Sequence, residues 1–433
     1  MKSKKLLLLE KLLRWMAIAV LKIKKPKIIA VTGSVGKTST AEAIYVVLLE
    51  KFNVRRNQKN YNNEIGIPLT IIGAESGGNS IFGWLYVFLK WIFVVVFPMK
   101  YPQILVLEFA VDRPGNMKYL TGFVHPLVGV VTNVSSSHME FFQSLEKIAK
   151  EKGFLVEALL PGEMAVLNAD DKNVLEMRNK IKSDLITFGY SQEAMVRADR
   201  VVYNYDDNQR PDGISFKLEY EGKSIPVRLK NILAPHQIYA VLAAVAVGIF
   251  FKINLVEASG ALEDMHSPQG RMNLISGIKN TYLIDDTYNA SPTSTLAALE
   301  VLESLGARRR IVVLGDMLEL GSEEKSGHQK IGEKIFQAKI DLFVAVGKRM
   351  RDAVEKAVSL GFAKERIFVF DDPEIASRKV QDVLQEGDLV LIKGSQGMRM
   401  EKIIKEIMAD SNEAENILCR QDKNWREKPF IQP

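Results

Sequence analysis

The sequence has a single cysteine, Cys419, which excludes a disulfide within the chain and a Cys-based zinc site; a reducing compartment fits best. It also lacks a large charge of one sign: 58 Lys and Arg against 52 Asp and Glu leave +6 over 433 residues. That balance admits a polyanionic substrate or an anionic surface, and it does not call for nucleic acid. With 29 glycines and 15 prolines the chain is neither collagen-like nor of low complexity, and a hydrophobic content of 47% is too high for disorder. The remaining class is a globular chain whose length, at roughly 150 residues per domain, suggests two or three domains.

Two apolar stretches need placing. Residues 1–5 are basic and residues 6–21 mostly apolar, as in a signal peptide, but Glu10, Lys11 and Arg14 interrupt the run and no small-residue cleavage pattern precedes the basic 22–27. Leu7, Leu8, Leu12, Trp15, Met16 and Ala19 recur at helical spacing. Residues 1–25 are therefore expected to form an amphipathic helix that packs on the first domain or lies on a membrane surface. The second stretch, IFGWLYVFLKWIFVVVF at 81–97, holds one charge, Lys90, and is near the lower limit for a membrane span. A span there would separate strands that belong to one sheet. The expectation is instead two aromatic-rich turns that dip into a membrane interface or cover a partner, in a protein that is cytoplasmic or peripheral at the cytoplasmic face.

The strongest local signal is KIIAVTGSVGKTSTAEAIYVVLLEKF, beginning at Lys27. It passes from an apolar β-rich run through a glycine turn into a helical pattern, which reads as strand, phosphate loop, helix. Backbone N–H groups around Gly33, Ser34, Gly36, Lys37, Thr38 and Ser39 can surround phosphate oxygens at the positive end of the helix. Lys37 can reach the outer phosphates and the Thr38 hydroxyl can complete a magnesium shell, so ATP with Mg2+ is the expected cofactor pair. The full P-loop pattern wants Gly where this chain has Ala30.

Two further strand-like runs end in polar residues. Residues 104–107 lead into Glu108, and residues 127–131 lead into Thr132, Asn133 and then His138. In a parallel sheet the carboxyl ends of strands share one rim, so Glu108 and His138 are expected beside the loop, holding magnesium. Residues 201–229 alternate short apolar runs with turns and read as strands, and an Ala/Val-rich helix is expected over 233–248. After Ser267-Pro268-Gln269-Gly270, strand-like runs at 282–285, 311–314, 342–346, 366–370 and 388–392 alternate with helical stretches, giving a second α/β domain without a phosphate loop. The fold class expected is α/β: a P-loop ATPase domain with a parallel-sheet core over 26–266, and a Rossmann-like domain over 267–433.

Nine segments in order carry a resemblance: TGSVGKTS at 32–39, NNEIGIPLT at 62–70, LVLEFAVDRPGNM at 105–117, TNVSSSHMEFFQSLEKIAKEKG at 132–153, VLNADD at 166–171, GRMN at 270–273, IDDTYNASPTSTLAAL at 284–299, VVLGDMLELG at 312–321 and KGSQGMRME at 393–401. With them the chain resembles the Mur ligases, nearest to the members that add D-alanyl-D-alanine to a UDP-linked muramoyl tripeptide for peptidoglycan. The resemblance implies that Lys37 and Thr38 serve ATP and the first magnesium, and that Glu108 and His138 serve the metals. It implies that Lys152 is carbamylated and becomes a metal ligand, with Lys150 as the competing assignment. It places His236 near the nucleotide base, although Gln237 and Ala240 stand where the family has asparagines. Arg271 is placed against the ATP phosphates on domain closure, Asp285, Asp286, Tyr288 and Asn289 at the interdomain cleft, and Asp316, Glu319, Lys393 and Ser395 around the incoming amine. Only one of Asp285 and Asp286 should face ligand, since neighbours on an extended strand point oppositely.

The implied activity is an ATP-dependent amide ligase working through an acyl phosphate. Relatives carry a UDP-gripping domain ahead of the phosphate loop, where this sequence has about thirty residues. Three expectations arise: another surface binds UDP, a partner supplies that domain, or the acceptor is a different, lipid-linked, carboxylate joined to another amino acid or peptide.

Overall fold

The computed structural model describes residues 4–57, 61–135, 139–207, 210–422 and 425. The chain forms two compact units: Met1–Val201, Ser215–Arg228 and His236–Met265 make the first, and Val202–Ile214, Leu229–Pro235 and His266–Pro433 the second.

In the first unit β1 (Lys27–Thr32) is apolar from Ile28 to Val31 because there it is paired on both edges and covered on both faces. Its parallel neighbours are β3 (Ile104–Glu108) and β4 (Val128–Val131). With β2 (Val54–Arg56), β5 (Met164–Asn168), β6 (Asp184–Gly189), β7 (Val196–Tyr205), β8 (Pro211–Tyr220) and β9 (Lys223–Leu229) the sheet order is β2-β3-β1-β4-β5-β6-β7-β8-β9. From β1 the chain moves one way, to β2 and back through β3. It then jumps over β1 to β4 and continues the other way. The loops after β1 and β4 therefore diverge at a topological switch point, where an open α/β sheet leaves a crevice at its carboxyl ends.

The helices of this unit include α1 (Lys4–Lys24), α2 (Lys37–Leu49), α3 (Gly66–Ile72) and α4 (Ile81–Val96). Residues 4–24 form the helix α1, but of the residues that recur at helical spacing in the sequence Met16 is buried whereas Leu7, Leu8, Leu12 and Trp15 are exposed. Leu13, Met16, Ala17 and Val20 pack into a core shared with Ile67 and Leu69 of α3, Val87 and Val94 of α4, and Leu105 and Leu107 of β3. The apolar stretch at 81–97 differs from expectation, being one continuous helix rather than two turns. Ser80 caps it, accepting from the Gly83 N–H at 3.1 Å, and no proline interrupts it before Pro98. Among the described residues no helix is long and apolar enough to cross a membrane.

The second unit is built on β10 (Asn273–Gly277), β11 (Thr281–Asp286), β12 (Arg309–Gly315), β13 (Leu342–Val346), β14 (Ile367–Phe370) and β15 (Asp388–Lys393), in the order β10-β11-β15-β12-β13-β14. All neighbours are parallel except β10 against β11. Helices cover both faces, giving two cores. One of these includes Leu233 and Ala234, so the helix expected from residue 233 begins only at Ile238, after a short turn at Pro235–Gln237. Proline cannot continue a helix backwards through residues that extend into another core.

Candidate functional site

Between β1 and α2 the chain makes a tight loop whose shape depends on two glycines. Gly36, at φ 83°, sits in the left-handed region just before α2. A Cβ on Gly33 would lie 1.9 Å from Thr132 Oγ1, so no larger residue fits against the loop after β4. That second loop clamps the first: Ser34 N–H donates to Asn133 O at 2.9 Å, Val35 N–H to Asn133 Oδ1 at 2.7 Å, and Thr132 Oγ1–H to Val35 O at 2.6 Å. The N–H groups of Ser34 and Val35 are thus already used. The amides opening α2, from Lys37 onwards, have no carbonyl within the helix to bond and suit an anion. Lys37 Nζ sits in the loop mouth, donating to Gly33 O at 2.8 Å and Ser34 O at 3.2 Å.

Beside the loop, the buried Glu108 at the end of β3 takes the Thr38 hydroxyl on Oε2 at 2.9 Å and the Asn62 amide on Oε1 at 3.0 Å. Asn57 Oδ1 holds the Glu108 N–H at 2.6 Å. A hydroxyl and a carboxylate in contact are hard oxygen donors of the kind magnesium takes. Asn57 and Asn62, which hold Glu108 in place, are contacts that sequence reasoning missed; the one signal was the NNEIGIPLT segment, which carries Asn62. Ser39 is buried one residue further along α2. His138 lies outside the described residues, and among those described no group of three or more His, Cys, Asp or Glu side chains is arranged for a metal.

Lys152, on the helix Leu145–Glu157, is buried, and its Nζ donates to Gly33 O at 3.0 Å. Lys150, two residues earlier and so on another side of the helix, is exposed. Burial, together with the Lys37 charge nearby, pushes the Lys152 amine down to about 7 against the pull of Asp112 and Glu151. At neutral pH about half of it is therefore the free amine, where an ordinary lysine is almost wholly ammonium. Further along the same rim His236 is exposed at the start of the helix Ile238–Phe250, while Gln237 and Ala240 are buried. Tyr239 Oη donates to Asp170 at 2.9 Å, and its ring stands edge-on to Tyr190 with centroids 5.1 Å apart.

In the second unit the strand ends again gather polar groups. Lys393, buried at the end of β15, pairs with Asp286 at 2.6 Å and donates to Asn289 O at 2.9 Å. Ser395 accepts from the Leu318 N–H at 2.8 Å, Glu319 is exposed, and Arg271 stacks on Tyr288 with its guanidinium 4.3 Å from the ring centre. Asp316 is fully buried, its carboxylate taking the Met350 and Arg349 N–H groups at 2.7 and 3.2 Å, so it holds the strand end to the start of the helix Arg351–Ser359.

Asp285 and Asp286 do point oppositely. Asp286 meets Lys393, whereas Asp285 is fully buried on Thr287, with Oδ1 taking the hydroxyl at 2.6 Å and the N–H at 3.1 Å. Among the described residues Asp285 Oδ2 has no hydrogen-bond partner. Burial pushes this carboxyl up to about 6, over the opposing bonds from Thr287. Because the folded pKa lies above the unfolded one, protonation favours the folded state, and stability from this group falls as pH rises from about 4 through 6, by about 3 kcal/mol in all. Asp285→Asn should abolish that slope. Urea unfolding between pH 4 and 8 checks it, and a wild-type minus variant difference that stays flat would rule it out.

Comparison with known proteins bears on the whole arrangement. A family model described as "Mur ligase middle domain" matches residues 31–82 and 93–248, and one described as "Mur ligase, glutamate ligase domain" matches 270–396. The UDP-N-acetylmuramoyl-tripeptide--D-alanyl-D-alanine ligase of Bacillus subtilis is 29% identical over 92% of this chain and 79% of its own length. The Escherichia coli enzyme of the same name is 28% identical over 88% and 76%. A crystal structure of MurF from Acinetobacter baumannii superposes with a TM-score of 0.76 at 25% identity, over 93% of this chain and 80% of that one.

Proposed function

The chain belongs to the Mur ligase family, and from that premise we propose that it joins D-alanyl-D-alanine to a UDP-N-acetylmuramoyl tripeptide, converting ATP to ADP and phosphate. The first unit is read as a P-loop ATPase domain, spanning about 26–266, and the second, about 267–433, as the Rossmann-like domain that takes the amine. The observation that carries the reading is convergence. Lys37 and Lys152 both reach the Gly33 carbonyl, and Thr38 and Glu108 meet beside it, so amines and oxygen donors gather at a loop whose helix-opening amides suit an anion.

The chemistry needs no nucleophilic side chain. The acceptor carboxylate attacks the terminal phosphorus of ATP, ADP leaves, and the resulting acyl phosphate is attacked by the dipeptide amine, which forms the amide and releases phosphate. Lys37 and the amides opening α2 hold the phosphates in line. Thr38 and Glu108 would hold magnesium, which when bound neutralises charge on the transferring group. Lys152, as the neutral free amine, would add to CO2 through nitrogen and lose one proton to solvent, giving a carbamate anion fit to hold a second magnesium. His138 is assigned to the metals, His236 to the base, and Arg271, Asp286, Tyr288, Asn289 and Lys393 to the groups handled by the second unit.

Phosphate release with ATP, magnesium and the UDP-linked tripeptide, with and without D-alanyl-D-alanine, tests this. Release that requires both substrates, with the pentapeptide mass in the product, is expected. Turnover only with another amine or another acceptor would replace the assignment by a related ligase of different substrate.

A further inference from the structure

The pair α1 and α4 presents a surface that the ligase reading does not use. Of the sixteen residues of α4 only Val87 and Val94 are buried, and half of this almost uncharged helix is exposed. Ile81 is 84% exposed, Phe82 82% and Val96 66%, and Leu85, Leu89 and Phe93 fill the stripe between them at helical spacing. Beside it α1 exposes Leu8 at 70%, Leu12 at 47% and Trp15 at 55%. The two stripes are joined where the Trp15 and Trp91 rings meet at a 48° tilt with centres 5.1 Å apart and Phe88 meets Trp91 at 5.6 Å. Trp91 Nε1–H donates to Met16 O at 3.0 Å and Lys24 Nζ to Phe97 O at 3.0 Å, which fixes the helices side by side with their carboxyl ends together.

A monomer rarely shows an apolar patch of this extent without covering it. Charge says with what. Residues 4–27 hold eight Lys or Arg against one acid, Glu10, and Glu10 is buried. That segment alone is more positive than the +6 of the whole chain, so the remainder of the protein is close to neutral or slightly acidic. Lys4, Lys11 and Lys22 are exposed and recur along one rim of the α1 stripe, and Lys90 borders the α4 stripe, 5.8 Å from the centre of the Tyr86 ring. At 16 residues α4 is about 24 Å long, short of the ~30 Å hydrocarbon core, and it is packed flat against α1 through one narrow edge. Neither feature suits a span, and both suit a helix lying in the plane of an interface. Residues 83–92, the middle of α4, and 1–30, which include α1, fall outside the segments that match the family, whereas the two ends of α4 lie within them.

We propose that the α1–α4 face is a peripheral membrane-docking surface, in which the aromatic and aliphatic stripe enters the interface of an anionic phospholipid bilayer while the flanking lysines contact the headgroups. Tryptophan and tyrosine at the junction occupy the depth where such rings partition. The surface acts independently of the ligase assignment and needs no substrate.

Co-sedimentation of the full chain with phosphatidylcholine vesicles, with and without phosphatidylglycerol, tests it. Binding to the anionic vesicles is expected, weakened by salt. The triple exchange Lys4→Gln, Lys11→Gln, Lys22→Gln should lower the partition coefficient about a hundredfold, at roughly fivefold per lysine. Phe82→Ser with Leu85→Ser and Leu89→Ser should lower it about tenfold or more. All six residues are exposed, so thermal unfolding and ATP binding should match wild type and certify both variants as folded. Protein that stays in the supernatant with anionic vesicles, or binds equally well in either variant, overturns the proposal. So does a dimer in sedimentation velocity that the serine variant dissociates, since a second copy would then cover the face.

Discussion

Lys37→Met should reduce acceptor-dependent phosphate release about a thousandfold or more, with little change in unfolding free energy. The rate loss is expected because, on the proposed reading, the ammonium would sit where charge accumulates during phosphoryl transfer, a position at which a single cation contributes several kcal/mol to the transition state. The stability change is expected to be small because the side chain bonds to two loop carbonyls, and Lys152 still donates to Gly33 O when Lys37 is gone. The variant carries a second signature. The Lys37 charge is one of the causes that hold the Lys152 amine low, so its removal should move Lys152 upward and leave less free amine at pH 7. Steady-state rates, chemical denaturation and the bicarbonate dependence of residual activity measure the three consequences. A loss below tenfold would remove Lys37 from the phosphate-holding role.

Lys152→Ala should cost about a hundredfold or more, whereas Lys150→Ala should be near neutral, because the buried lysine reaches the loop and the exposed one does not. The distinguishing property is dependence on dissolved CO2. An amine at about 7 is largely ammonium at pH 6 and largely free at pH 8, and only the free form adds to CO2. Protein stripped of bicarbonate should therefore regain activity on its addition faster at pH 8 than at pH 6. With labelled bicarbonate, a carbamate carbon resonance should appear in wild type and Lys150→Ala and be absent from Lys152→Ala. A resonance that persists in Lys152→Ala would transfer the assignment elsewhere. The stability contribution has the opposite sign to that of a paired lysine. A folded pKa depressed below the unfolded one means that this group opposes folding at acid pH, and the penalty fades as pH rises from about 7 towards the ordinary lysine range.

The strands and the loop were legible because their signals are local. Parallel strands covered on both faces must be apolar throughout, as in Ile28–Val31 of β1, and a glycine turn before a helix announces itself at fixed spacing. Choices between neighbours were not legible. Lys150 and Lys152 differ in which side of one helix meets the loop, and Asp285 and Asp286 in which side of one strand meets Lys393; each choice is made by packing from distant segments. Asn62 reaches Glu108 across 46 residues of sequence, so nothing near either residue announces the bond. The stretch at 81–97 defeated periodicity for another reason. When nearly every position is apolar, the pattern cannot say which edge is buried, and only Val87 and Val94 prove to be.

The boundaries of the two units do not follow the chain. Leu233 and Ala234 are core residues of the second unit although 30 residues of the first, His236–Met265, come after them, and Tyr203 and Tyr205 bond to Ser304 and Gly306 from still further upstream. A gene segment encoding only residues 266–433 would thus lack some of the second unit's own interior and leave apolar positions facing water. Recombination that exchanges such segments between related genes would separate Leu233, Ala234, Tyr203 and Tyr205 from the core and the bonds they complete. The heritable module here is the whole interleaved chain, and substrate range is accordingly expected to change by substitution at the strand ends rather than by swapping one half for another.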